Sequence, residues 1–166
     1  FAGGGPISLD FTTLTVGDTG VIDASSTQGN AGGSIRLTGT TLTGTGALRA
    51  DGHQHFRSYG SGGRIAILVD NVDTFTGTTS TVGGGQVITN ECGGSGTVYW
   101  QTIQWPNGKL VIDNGGKHSP DDSTPLPGLG TRTVTQATGG ASLVDTNLPL
   151  FNGLSGMYVL VDGQDP

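Results

Sequence analysis

Two histidines flank one residue in His53-Gln54-His55, and an extended backbone would put both imidazoles on one side, as in a metal clip. Zinc sites take three or four protein ligands, and no third His or Cys stands at motif spacing to this pair, so it reads as a loop pair without metal. Asp121-Asp122 and Asp70-Asn71-Val72-Asp73 offer oxygen donors for calcium, but neither has the twelve-residue loop with its closing glutamate. Tyr99, Trp100, Trp105, Phe56 and Tyr59 are the residues a sugar-stacking platform would need. Alternation divides them: Val98 and Trp100 share one face and Tyr99 takes the other, which makes Trp100 a core or end-cap residue. Gly60-Ser61-Gly62-Gly63 and Gly83-Gly84-Gly85 open no helix and carry no following Lys-Ser or Lys-Thr, so they are corners, not phosphate cradles. No Gly-x-Ser-x-Gly element with a base after it supports nucleophilic hydrolysis. The single Cys92, beside Glu91, rules out an internal disulfide framework and reads as a small, partly buried side chain.

The elements that must carry these residues repeat. Gly32-Gly33-Ser34-Ile35-Arg36-Leu37, Gly62-Gly63-Arg64-Ile65-Ala66-Ile67 and Gly93-Gly94-Ser95-Gly96-Thr97-Val98-Tyr99-Trp100 are near-copies of a glycine-anchored strand, with anchors at Gly33, Gly63 and Gly94. A second register places one large apolar residue between hydroxyl residues, in Thr12-Thr13-Leu14-Thr15, Thr40-Thr41-Leu42-Thr43 and Asp73-Thr74-Phe75-Thr76. A third follows a glycine, in Gly20-Val21-Ile22-Asp23, Gly46-Ala47-Leu48-Arg49 and Gly77-Thr78-Thr79-Ser80. Three short alternating segments per unit with glycine corners describe one coil of a β-solenoid. Ile7, Ile35, Ile65 and Val98 should form one inward ladder, and Leu14, Leu42 and Phe75 another. The crossover preference of parallel strands makes the coil right-handed.

Composition agrees. Glycine accounts for 32 of 166 residues and there are 2 Lys and 1 Glu, so strong helix formers are scarce and an all-β chain with almost no helix is expected. Apolar residues make up 33% and alternate with polar ones, which separates the chain from a glycine-rich disordered tract. The net charge of -6 and scattered basic residues leave no phosphate-tracking stripe, so nucleic acid is not an expected partner. No run of 18 apolar residues suggests a transmembrane segment. The prolines and acids of Lys117 to Gly128 break any ladder. The expected organisation is a right-handed parallel β-helix over 1–116, a Pro/Gly-rich linker over 117–130, and a small β-rich segment over 131–166 that a neighbouring chain completes. Strands are expected at Arg132-Thr133-Val134-Thr135, Ala141 to Asp145 and Gly156 to Asp162.

Gly60-Ser61-Gly62-Gly63-Arg64-Ile65-Ala66-Ile67, Phe75-Thr76-Gly77-Thr78, Gly93 to Trp100 and Leu110-Val111-Ile112-Asp113-Asn114-Gly115-Gly116 resemble the glycine-rich β-solenoid modules of very large secreted bacterial surface proteins. The resemblance covers residues 30 to 116. The tail from Leu143 to Val159 is similar to short β segments that follow such modules. What the resemblance implies is a parallel β-helix in an extracellular adhesive or structural protein, with no catalytic residues to carry over.

Two functions compete. Parallel β-helices also cleave polysaccharides, which requires clustered carboxylates for calcium or acid–base work. Asp10, Asp23, Asp51, Asp70 and Asp73 stand at strand ends, and Arg36 and Arg64 occupy equivalent repeat positions, an arrangement that could face an acidic sugar. No paired-carboxylate motif accompanies them, so solvated strand-face charges are the plainer reading, and no catalytic, cofactor-binding or metal-ligating set is assigned. The chain begins at Phe1, not Met, and its low Lys and acidity suit a processed, secreted, cell-surface module. Neither end shows a polar cap, which leads to a non-enzymatic subunit that joins its copies head to tail into a filament, surface layer or adhesin. The interface residues would be Phe1, Pro6, Ile7, Leu9 and Phe11 at one end and Tyr158, Leu160, Asp162 and Pro166 at the other. The alternative is a carbohydrate-binding or carbohydrate-cleaving β-helix with a glycan partner.

Overall fold

Alternation of apolar and hydroxyl residues yields strands, but not the three short ones per coil that the sequence suggests: in the first two coils the first two registers run together as one long strand, and in the third coil the second register is only an isolated bridge at Phe75. A computed structural model describes residues 3–72, 74–86 and 91–117, together with the backbone of 136–138 and 142–144. The chain divides into two units, Phe1–Ser123 and Thr124–Pro166. The first holds β1 (Pro6–Val16), β2 (Val21–Asp23), β3 (Ser34–Gly44), β4 (Ala47–Arg49), β5 (Gln54–His55), β6 (Ser58–Tyr59), β7 (Arg64–Asn71), β8 (Thr78–Ser80), β9 (Thr97–Gln101) and β10 (Lys109–Val111). The second holds β11 (Gln136–Thr138), paired antiparallel with β12 (Ser142–Val144). The expected strands at 132–135 and 156–162 lie outside the described residues, and β12 falls within the expected 141–145. Among the described residues there is no helix, and so none long and apolar enough to cross a membrane.

β1, β3, β7 and β9 pair in parallel in that order, and β10 adds antiparallel to β9. β2, β4 and β8 form a second parallel sheet. The first unit is therefore an all-β parallel solenoid of about three turns. Ile7, Ile35, Ile65 and Val98 stand in one cross-strand ladder, as their spacing predicts, and successive coils span 28, 30 and 33 residues. Val21, Ala47 and Thr78 align in the second sheet, again as predicted. Ile35, Leu37, Leu42, Leu48, Ile65 and Ile67 are the largest fully buried side chains, each contributing about 1.5–3 kcal/mol by leaving water. They all belong to the second and third coils, which have a neighbour above and below.

Three expectations need correction. Leu14 stands opposite Leu42, but Phe75 bridges to Gly44 and is not in that ladder. β7 leaves its register after Asn71, and the turn closed by the Phe75 N–H on the Val72 carbonyl (2.9 Å) lets both side chains pack on the core. Arg36 lies opposite Ala66, and Arg64 opposite Ser34, so the two arginines sit two residues out of register along the strands. The third glycine anchor is Gly96, not Gly94, because Gly96 makes the contact with the preceding coil.

That contact explains the glycine pairs. The Gly33, Gly63 and Gly96 N–H groups donate to the carbonyls of Ala24, Ala50 and Thr81 (2.8, 2.7 and 2.7 Å), closing each coil through its narrowest point. A methyl group at Gly33, Gly63 or Gly96 would strike the carbonyl of Gly5, Gly33 or Gly63 in the coil before. A methyl group at Gly32 or Gly62 would strike the carbonyl of Ala50 or Thr81 in the coil after. The obstacles are backbone atoms and cannot swing aside. Ser95 takes the first place of the pair in the last coil, where its hydroxyl donates to the Asp113 carbonyl (2.8 Å).

The two ends of the solenoid differ, contrary to the expectation that neither carries a cap. β10 covers the edge of β9, and the Asn114 side chain accepts from the Gly83 N–H (2.7 Å) while donating to the carbonyls of Gly93 (3.0 Å) and Lys117 (3.1 Å). Lys117 Nζ donates to the Gly83 carbonyl (2.7 Å). These bonds satisfy backbone groups of the last coil that a further coil would otherwise take. At the other end, β1 pairs only with β3 among the described residues.

Alanine at Gly63 or Gly96 should therefore lower unfolding stability by about 2 kcal/mol or more through backbone overpacking. Gly94 meets nothing within 4 Å and has no positive φ, so Gly94→Ala should stay within about 0.5 kcal/mol of wild type. Urea denaturation of the three variants checks the assignment, and equal midpoints would refute it.

Candidate functional site: the open first coil and the loop corner

Among the described residues, no coil lies beyond the inward side chains of β1. Leu9 is 36% exposed while Leu37 and Ile67, its ladder partners in the next two coils, are at 0%. Ile7, Phe11, Leu14 and Ile22 are only partly buried against the core, whereas Ile35, Leu42 and Leu48 at the same positions one coil on are fully buried. Val21 is 49% exposed. Pro6, Ile7, Leu9 and Phe11, the interface residues expected from the sequence, thus line an edge strand of 11 residues with an apolar floor. Phe1, Tyr158, Leu160, Asp162 and Pro166 lie outside the described residues.

Gly5 carries a further signal. It holds the place of Gly33, Gly63 and Gly96, where glycine is required by the carbonyl of the coil before, yet nothing lies within 4 Å of a methyl group at Gly5. The residue has the shape a preceding coil demands and no such coil against it among the described residues.

A second feature forms where the coils lengthen. The chain between Ala24 and Gly33, between Ala50 and Gly63, and between Thr81 and Gly96 forms loops at one corner of the solenoid, each longer than the last. The second loop rises as the β5–β6 hairpin and leans on the first: Ser58 Oγ donates to the Gly29 carbonyl (3.0 Å), and the His53 N–H to the Asn30 carbonyl (3.1 Å). The Gly29 N–H points to His53 Nδ1 (3.4 Å), and Gly29 takes φ +78° with the Cβ atoms of His55 and Ser58 close beside it. Tyr59 ties the hairpin to the third loop by donating its hydroxyl to Glu91 Oε2 (2.5 Å). That hydrogen bond, with the carboxylate charge behind it, holds the Tyr59 phenol above its ordinary pKa.

The hairpin turn holds Phe56 at φ +51° and 85% exposed. Both features cost free energy: the left-handed backbone about 1–2 kcal/mol, and the unburied ring a further forgone 1.5–3 kcal/mol. His55 meets the ring edge-on at 4.4 Å. Gln28, itself at φ +63°, joins Asn30, His55, Phe56, Arg57 and Ser58 around a cleft of about 550 Å³.

The other candidates from the sequence are not brought together. His53 turns toward the Gly29 loop and His55 toward Phe56, and among the described residues no three His, Cys, Asp or Glu side chains form a metal-holding group. Asp51 Oδ1 accepts from Ser80 Oγ (2.6 Å) and the Val82 N–H (2.9 Å), a structural tie between coils. Asp10 lies opposite Thr38 on β3, and Asp23 opposite Arg49 on β4. Asp73 and Asp121-Asp122 lie outside the described residues. The aromatics divide: Phe75, Trp100 and Trp105 stack at the far end, with Lys109 Nζ 5.0 Å over Trp105, while Phe56 and Tyr59 stand at the loop corner. Cys92 is half-buried and free. Sequence reasoning named Phe56, Tyr59 and the histidines but missed Gln28, Asn30, Arg57 and Ser58. Their signal is repeat phase, since 27–30 and 53–59 occupy the same place in successive coils.

The chain matches no family model, no curated protein and no solved structure.

Replacing Phe56 by glycine removes both the left-handed strain and the exposed ring, so Phe56→Gly should leave stability unchanged or raise it by up to about 1 kcal/mol. A thermal melt in which Phe56→Gly falls several degrees below wild type would contradict the strained geometry.

Proposed function

We propose that the chain is a structural, non-enzymatic subunit of an extracellular or cell-surface assembly of the adhesin-like, glycine-rich solenoid kind, extended by adding β structure to its open first coil. The observation that carries this reading is Gly5, a glycine in the position where every later coil needs one to admit its neighbour. Exposed Leu9 and half-buried Ile7 and Leu14, beside their fully buried copies Leu37, Ile35 and Leu42 one coil on, support it. An edge strand of this length with an apolar floor is a template for strand addition. The neighbour's Tyr158 to Pro166 segment is the donor in this reading, entering beside β1 of the next chain. The contact is heterologous, so it propagates into a filament unless rotation closes a ring. Localisation outside the cell rests on composition, namely acidity and 2 Lys in 166 residues.

A second mode is favoured by the covered far end of the solenoid. With β10, Asn114 and Lys117 occupying that end, two first coils can meet through their β1 edges, antiparallel, in a two-fold dimer that stops there.

Negative-stain imaging and light scattering of the full chain over a concentration series separate the two. Filaments that lengthen with concentration support head-to-tail addition, and a uniform dimer replaces it with the closed contact. Leu9→Lys, which sets a charge on the open edge, should abolish either assembly while leaving the melting temperature within a few degrees of wild type. A wild-type chain that stays monomeric at high concentration overturns the proposal, as does a Leu9→Lys variant that assembles normally.

A further inference from the structure

From the loop corner we infer a second site, independent of the coil edge: a cleft that binds an acidic oligosaccharide of the uronic-acid class. Phe56 presents an open aromatic face, and the C–H face of a pyranose ring is the ligand surface that matches it while leaving the sugar hydroxyls in water. Beside the ring stand the side-chain amide of Gln28 and the Ser58 hydroxyl, whose proton goes to the Gly29 carbonyl and whose oxygen can accept from a sugar hydroxyl. The lining contains Arg57 and His55 and no carboxylate, although the chain as a whole carries a net charge of -6. Arg57 is exposed, and its charge is felt at the neighbouring Tyr59 hydroxyl. Its guanidinium fork is the group that would take a sugar carboxylate in two parallel hydrogen bonds.

The backbone supports the assignment. Two non-glycine residues among those described take positive φ, Gln28 and Phe56, and both line this cleft. Strain of this kind persists only where surrounding contacts enforce it. Here the Ser58 bond to Gly29, the His53 bond to Asn30 and the Tyr59 bond to Glu91 hold the hairpin upright against the first and third loops. The hairpin that carries the ring is thereby held in place before a ligand arrives, so less backbone ordering is lost on binding. The cleft is shallow, which sets the expected dissociation constant at about 0.1–1 mM for one chain and a short ligand.

The test is amide NMR titration of the full 166-residue chain with hexagalacturonate, with cellohexaose as the neutral comparison and hexaglutamate as the acidic non-sugar comparison. Saturable shifts centred on Gln28, Asn30 and 55–58 are expected with hexagalacturonate, weakened severalfold when salt is raised from about 50 to 500 mM. Phe56→Gly should cut affinity tenfold or more with a melting temperature no lower than that of wild type. Arg57→Gln should bring hexagalacturonate binding down to the cellohexaose level. No saturable shift with hexagalacturonate, or binding that both variants leave intact, overturns the site. Equal binding of cellohexaose by wild type overturns its acidic character, and equal binding of hexaglutamate overturns the sugar assignment. Because Leu9→Lys leaves the corner untouched, its glycan titration should match wild type whether or not the chain assembles.

Discussion

Everything in the solenoid depends on how closely one coil can lie against the next at the glycine corner. The carbonyls of Ala24, Ala50 and Thr81 close their coils on the N–H groups of Gly33, Gly63 and Gly96, and each glycine also lies against the backbone of the coil before. A side chain at either place would push coils apart, breaking the parallel ladder and the apolar stack behind it together. Burial of Ile35, Leu37, Leu42 and Leu48 is therefore a consequence of backbone contact at residues that contribute no apolar surface of their own. The short, small corner also forces extra residues to emerge as loops beyond it. The hairpin at 53–59 exists because the second coil has more chain than the corner can hold.

The same constraint makes the solenoid directional. A coil that has a successor needs glycine at the first place of the pair, and the last coil, freed of that demand, has Ser95, which bonds to the capping segment. A coil that has a predecessor needs glycine at the second place, and the first coil has Gly5 with nothing against it among the described residues. One end is thus finished with β10, Asn114 and Lys117, while the other retains the shape of an interior coil. Assembly through β1 and ligand capture at the loop corner use different parts of this object and need not exclude one another.

Much of the fold was legible in the sequence because parallel coils put chemically alike residues on top of one another. Ile7, Ile35, Ile65 and Val98 could be stacked by inspection, and so could Val21, Ala47 and Thr78. Errors arose where coils differ in length. Gly93-Gly94 looks like the third anchor, but the longer third loop moves the contact to Gly96; the turn at Val72 likewise displaces Phe75 from its place beside Leu42. The cap was hidden because Asn114 and Lys117 act through side-chain bonds to backbone atoms, the Gly83 N–H and carbonyl among them, which leave no periodic trace in the sequence. The loop corner was half visible: its aromatic and histidine residues stood out by type, while Gln28, Asn30 and Ser58 are ordinary loop residues until the repeat phase brings them beside Phe56.

The central claim is that the outer edge of β1 is where further β structure adds. Half of the β1 N–H groups point away from β3, so their exchange with solvent reports directly on whether that edge is taken. Hydrogen exchange of the full chain, followed by mass spectrometry at low and high protein concentration, is the decisive measurement. Protection that grows with concentration in peptides covering 6–16, with 34–44 unchanged, is the result this account expects. Exchange in β1 that is fast and independent of concentration would contradict it.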